Sequence, residues 1–168
     1  MRIPKRMITL IGAAILIGAV AGRAASARFS RHTEVADEPS VTDGYTRLIW
    51  QGCPAGLSGS DCETGALRQM TWAEALSYCE ALPWADTADW RLPNKNELIS
   101  ITDTRRTSPA VDTNAFPGTP SDRSFWTGTS FAGQSAASYA WIVYSGAGHA
   151  STDIKNNLNY VRCVRGGT

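Results

Sequence analysis

Apolar side chains recur at Trp72, Ala75, Leu76, Cys79 and Leu82, the spacing of one buried helix face. Thr71 and Glu74 stand where a capping box needs its cap and its third helical residue. Pro83 ends that helix. A second helix is announced by "DWRLPNKNEL" at 89–98. Pro93 fits neither a helix interior nor a central strand, and it pushes Leu92 towards an extended backbone. Asn94 can then cap, with Glu97 at the third helical position, and Leu98, Ile99 and Ile101 supply the apolar contacts. Alternation of period two marks strands instead. It appears in "SYAWIVYS" at 138–145 and "LNYVRCVR" at 158–165. In "VTDGYTRLIW" an Asp43-Gly44 turn signal leads into a strand ending at Trp50, and "FWTGTS" at 125–130 reads as a short strand. In "LNYVRCVR", Val161 and Cys163 share one face, and Tyr160, Arg162 and Val164 the other. The remaining segments are rich in Gly, Ser, Pro and Asn and read as ordered loops. "GAGHASTDIKNN" then joins the last two strands as a hairpin loop. The order of elements predicts an α+β fold: two helices, a small twisted antiparallel sheet and long ordered loops.

The first 40 of the 168 residues stand apart. Arg2, Lys5 and Arg6 precede an almost unbroken apolar run over 7–21, and Ala25-Ser26-Ala27 offers small residues for cleavage. This pattern predicts a secretory signal peptide over 1–27, and no membrane insertion after its removal. Residues 28–40, polar and without period, read as a linker, so the domain is expected over 41–168. The leader would take four basic residues and no acids, leaving 12 basic against 15 acidic residues, a net charge of −3. The exported protein is therefore not a basic nucleic-acid binder.

Export makes the four cysteines, Cys53, Cys62, Cys79 and Cys163, a disulfide set. Three pairings are open. A Cys53–Cys62 bridge would staple the Gly-rich loop between them and contribute about 2.5 kcal/mol through loop-closure entropy. Cys79 lies on the apolar helix stripe and reads as a core half-cystine, not a reactive thiol. Zinc sites bring ligands in close pairs, which this chain lacks. Asp153, Asn156, Asn157 and Asn159 crowd the last hairpin, but without EF-hand spacing, and turn chemistry explains them. Neither metal nor cofactor is expected. His149 sits in the same hairpin with no catalytic motif around it. Trp90 and Arg91 read as a structural corner, the indole buried and the guanidinium paired with Asp89 or Glu97.

Five ordered segments carry a resemblance: "VTDGYTRLIWQ", "TWAEALSYCEAL", "DWRLPNKNEL", "FWTGTS" and "NYVRCVRG". Together, over residues 41–167, they resemble the domain family typified by the C-terminal domain of the Lcl collagen-like adhesin. The resemblance implies a C-type-lectin-like fold in which a cysteine of the first helix pairs with one on the last strand. Cys79 and Cys163 occupy those places. It also implies an adhesin-like, oligomeric binder of sulfated glycosaminoglycans. This chain has no collagen-like Gly-X-Y run, and its mature charge is negative.

The expected function is thus an exported, periplasmic or extracellular, non-catalytic module that recognises a glycan or a surface protein. Its binding face is expected on the loops 104–124 and 146–157. The candidate contacts are Arg105, Arg106, Arg123 and Lys155 for charge, Trp141 and Tyr144 for aromatic stacking, and His149. Two other readings stand beside this one. One is an enzyme on the same fold, of the formylglycine-generating type, which needs free cysteines, or of another kind. The other is a structural envelope subunit.

Overall fold

The computed structural model describes residues 27–35, 37–133 and 137–166. The expected signal peptide lies, but for Ala27, outside the described residues.

Both helices start as local chemistry dictates. Helix α1, Trp72–Glu80, has Thr71 as its cap: the Glu74 carboxylate accepts the Thr71 N–H at 2.8 Å, and the Thr71 hydroxyl accepts the Glu74 N–H. Helix α2 is short, Lys95–Ser100, and is capped by Asn94 and Glu97 in the same reciprocal way, at 2.9 and 2.7 Å. Such a box satisfies two otherwise orphaned donors.

Three sheets surround them. Strands β1 (Phe29–His32), β2 (Ser40–Asp43), β3 (Ile49–Gln51) and β11 (Val164–Arg165) form an antiparallel sheet in the order β1-β2-β3-β11. A second sheet has the order β6-β10-β7-β8-β9. Its strands are β6 (Gln69–Met70), β7 (Ser124–Ser130), β8 (Tyr139–Tyr144), β9 (Ala150–Ile154) and β10 (Asn159–Tyr160). The short pair β4 (Leu57–Ser58) and β5 (Thr64–Gly65) is the third.

Four sequence expectations need correction. The stretch 28–40 is not a linker throughout: residues 29–32 pair with 40–43 as β1, and Arg28 forks onto the buried Asp43 carboxylate. The sheet is not wholly antiparallel, because β10 runs parallel to β7 at Tyr160 and Phe125. "GAGHASTDIKNN" is not one loop, because residues 150–154 pair with β8. Finally, "LNYVRCVR" is not one strand. Its two ends serve different sheets, and 161–163 crosses between them with the Arg162 guanidinium turned inward onto the carbonyls of Gln51 and Gly52, at 2.7 and 2.8 Å.

The five-stranded sheet is apolar on both faces, as strand alternation allows. Trp126, Ala140 and Ile142 join Ala75 and Cys79 of α1, Trp84, Trp90 and Val161 in one core. Phe125 and Val143 join Leu98 of α2, Trp50, Phe116 and Val164 in the other. The bridge Cys79–Cys163 fastens α1 to the crossing segment, and Cys53–Cys62 closes the loop after β3. Gly52 is required where that loop passes Pro39, because a Cβ there would stand 2.4 Å from the Pro39 carbonyl oxygen.

The corner at 89–98 is a construction joint. Trp90 is buried, and its indole N–H donates to the Trp84 carbonyl at 3.0 Å. The backbone of Arg91 bridges to Val164, and its guanidinium forks onto Glu97 at 2.8 and 2.7 Å. Glu97 therefore serves helix cap and ion pair at once. Burial raises its pKa, but the Arg91 fork and the Asn94 N–H outweigh that and hold the carboxyl below its ordinary value. Pro93 is fully buried, and its carbonyl accepts the N–H of Gly128.

Candidate functional site

Beside β1 lies a cleft of about 760 Å³. One wall is Ala27 and Arg28 with Phe29 and Arg31 of β1; the other is the end of α2 and the loop after it, from Ile99 to Arg106. Asp112, Asn114 and Ala115 complete the lining, and Tyr45 stands at its border.

Each wall is fixed by backbone bonds. The loop wall is pinned where Asp103 N–H donates to Ala110 O, Ser108 N–H to Gly146 O and Ala110 N–H to Ser145 O. The turn after β8 therefore buttresses the loop after α2. Gly148 makes the contact possible: its φ is +73°, and a Cβ would meet Thr102 Cβ at 2.9 Å. The β1 wall is held by its ladder to β2 and by the N–H of Gly44 donating to Arg28 O at 2.8 Å.

Four guanidiniums line the cleft, each differently held. Arg28 forks onto Asp43 at 3.0 and 2.6 Å and lies over the rings of Phe29 and Tyr45, at 4.6 and 5.2 Å. Burial alone would raise the Asp43 pKa. The Arg28 fork, the Tyr45 N–H and the Thr46 hydroxyl together reverse this and hold the carboxyl below its ordinary range. Arg31 has no carboxylate in contact: it donates to the carbonyls of Ser60, Gly52 and Ala115. Burial lowers its pKa, against the pull of Asp61 and Glu63. Arg105, 89% exposed, forks onto Asp103 at 3.0 and 3.1 Å. Arg106 reaches Asp112 at 3.3 Å and Asp103 at 3.7 Å. Tyr45 is the most exposed large hydrophobic residue among the described residues, at 79%.

Of the sequence candidates, only Arg105 and Arg106 line this cleft. Arg123 is exposed in the turn before β7, donating to Asp122 O. Trp141 carries the Lys95 ammonium 4.2 Å above its ring and the edge of Phe131 at 6.0 Å. Lys155 lies 4.2 Å over Trp72 and donates to the Ser130 hydroxyl. Tyr144 and His149 stack on each other, 5.2 Å between centroids. Asp153 spends both carboxylate oxygens on Asn157 and Asn159, at 2.7 and 2.8 Å, which is turn chemistry. Among the described residues, no group of three or more His, Cys, Asp or Glu side chains could hold a metal ion, and no cysteine is free.

Arg28, Arg31 and Tyr45 escaped the sequence reading, the first two because their segment passed for a linker. Arg162 escaped it too. It is 2% exposed and, among the described residues, meets no carboxylate; its partners there are carbonyls, the Thr119 hydroxyl at 3.0 Å and the face of Phe116 at 5.0 Å. Burial, reinforced by nearby Arg31, pushes its pKa down to about 9. It is an internal tie that takes up the strand-end carbonyls of Gln51 and Gly52.

The only long-range sequence signal for this arrangement was the set of five ordered segments, and the comparisons test it. A comparison with curated proteins finds no match. The model of the Lcl C-terminal domain matches residues 39–165, from just before β2 to the end of β11, and the chain belongs to that family.

Proposed function

We propose that the chain is an exported, non-catalytic binding module, adhesin-like in role, and that the arginine-lined cleft is where it recognises a glycan or a surface protein. The observation that carries this is the convergence of Arg28, Arg31, Arg105 and Arg106 with an exposed Tyr45 around one concavity. Guanidinium forks and exposed aromatics are common anchors of recognition. Export is supported by the two disulfides, which persist in oxidising compartments. Among the described residues no helix is long and apolar enough to cross a membrane. The frame fits a C-type-lectin-like fold: the first and last strands share one sheet, and a cysteine of α1 bonds to the segment before the last strand. The pairing of all four cysteines in bridges supports this reading over one of the formylglycine-generating type, whose chemistry uses thiols.

The test is a glycan array and a panel of purified surface proteins, probed with the exported chain and with Arg105→Glu/Arg106→Glu. A ligand that the wild type binds should be lost from the double variant and kept by Lys95→Ala. Unchanged binding by the double variant would remove the cleft from consideration.

A further inference from the structure

We infer that the cleft accepts an extended, acidic peptide segment, which adds to β1 as a new strand. This rests on the reading of the cleft as the binding site and specifies the chemistry of the partner.

The first ground is the hydrogen-bond phase of β1. In an antiparallel pair, successive residues turn their N–H and C=O alternately towards and away from the neighbour. The N–H of Asp43 is used on the β3 side, donating to Leu48 O, whereas that of Gly44 donates to Arg28 O. With the register Phe29↔Asp43 and Ser30↔Thr42, Arg28, Ser30 and His32 are in phase with β2. Phe29 and Arg31 then turn their backbone groups outward. β1 is the outermost strand of its sheet, and among the described residues no turn or loop bonds to those groups. Such an open edge is a template for another strand.

The second ground is shape. The open edge borders a groove whose far wall is the end of α2 and the pinned loop 102–106. A groove between a strand edge and a helix is where an added strand finds both its ladder and pockets for alternate side chains. The long side chain of Arg31 does not obstruct it, because it is tied to the Ser60, Gly52 and Ala115 carbonyls.

The third ground is charge. Four arginines line the groove against two carboxylates, Asp103 and Asp112; with Asp43 behind Arg28 counted, one positive charge is left over, although the chain beyond residue 27 carries a net charge of −3. An added strand presents every second side chain to the groove. Acidic residues at alternate positions would meet the arginines, with Tyr45 at the groove's border. A glycan offers no matching series of backbone donors and acceptors, so the open ladder favours a peptide.

The experiment uses the exported chain, labelled for amide NMR, and a capped peptide of alternating glutamate and threonine roughly eight residues long. Two further peptides carry backbone N-methyl groups at every second residue, one in each phase. The parent peptide should bind in the millimolar range or tighter and protect the amides of Phe29 and Arg31 from exchange. One methylated phase should bind as the parent does, and the other should lose about tenfold or more, the loss expected for two backbone bonds. Equal binding by both phases would overturn strand addition while leaving a charged cleft. No binding by the parent, alongside a glycan that depends on Arg105 and Arg106, would overturn the peptide and keep the cleft. Parent binding that survives Arg105→Glu/Arg106→Glu would overturn both. Protection of the two amides that rises with protein concentration alone would assign the edge to a second copy of the chain instead.

Discussion

Two regions bring cations and aromatic rings together, and they use them in opposite ways. Where the helices meet the five-stranded sheet, Lys95 lies over Trp141 and Lys155 over Trp72. Each ammonium covers its ring, and Lys155 also donates to the Ser130 hydroxyl, so both cations are engaged within the fold. At the cleft, Arg28 stacks on Tyr45 from one side only, and the tyrosine remains 79% exposed. Residue type therefore did not separate an open ring from internal masonry. What separates them is whether a neighbour already covers the ring.

The largest change expected from any single disruption falls on the frame that both regions share. Replacing Cys79 and Cys163 with alanine frees a span of 84 residues and should cost about 4.5 kcal/mol through loop-closure entropy. Denaturant unfolding measures this, and binding per folded molecule should not change. Next comes charge reversal, which sets one region against the other. Arg105→Glu/Arg106→Glu should weaken ligand binding about a hundredfold, as the loss of two charge-assisted contacts implies. Lys95→Glu should leave it intact. Equal loss from both would erase the contrast.

A smaller effect is expected from the carboxylate behind the cleft. Asp43→Asn should cost about 2 kcal/mol, because it leaves part of the Arg28 fork unpaired against a buried group. The same group predicts a pH response. A carboxyl with a depressed folded pKa contributes its full stability above its unfolded value and loses it as pH falls through the folded value. For Asp43 and Glu97 the melting temperature should therefore hold from neutral pH down to roughly pH 4 and fall below it. Asp43→Asn should flatten that acid limb in thermal melts. Smallest of all, Lys95→Ala should lose about 0.5 kcal/mol of cation–π stabilisation, measured by denaturant titration, with no change in binding.

What could be read from the sequence was what neighbours in the chain decide among themselves. The two capping boxes need only residues three apart, and the stripe through Cys79 needs only one helix. Both helices stand where that chemistry puts them. Segments whose partners lie far along the chain were harder. β1 is four residues with no hydrophobic alternation, and it is a strand only because β2 returns beside it. The final apolar run looked continuous because each half alternates. It breaks because two sheets claim its ends and Arg162 must reach inward to Gln51 and Gly52. The cleft inherits both difficulties. Arg105 and Arg106 are legible as loop cations, but the strand that faces them, Phe-Ser-Arg-His, carries no apolar period and reads as linker.

The ties on Arg28 and Arg31 have one more consequence. A free arginine side chain must be immobilised when a ligand arrives, at a cost of about 0.5–1.5 kcal/mol each. Here the fork on Asp43 and the three carbonyls around Arg31 have already fixed both side chains during folding. The rotational entropy of these two groups was surrendered before any partner appeared. The β1 wall is thus preorganised. Arg105 across from it also forks, onto Asp103, but its side chain is 89% exposed, and ion pairs so open to water are weak. A firmly held jaw facing a loosely held one would let a single module hold a constant backbone while tolerating variety in the side chains it carries.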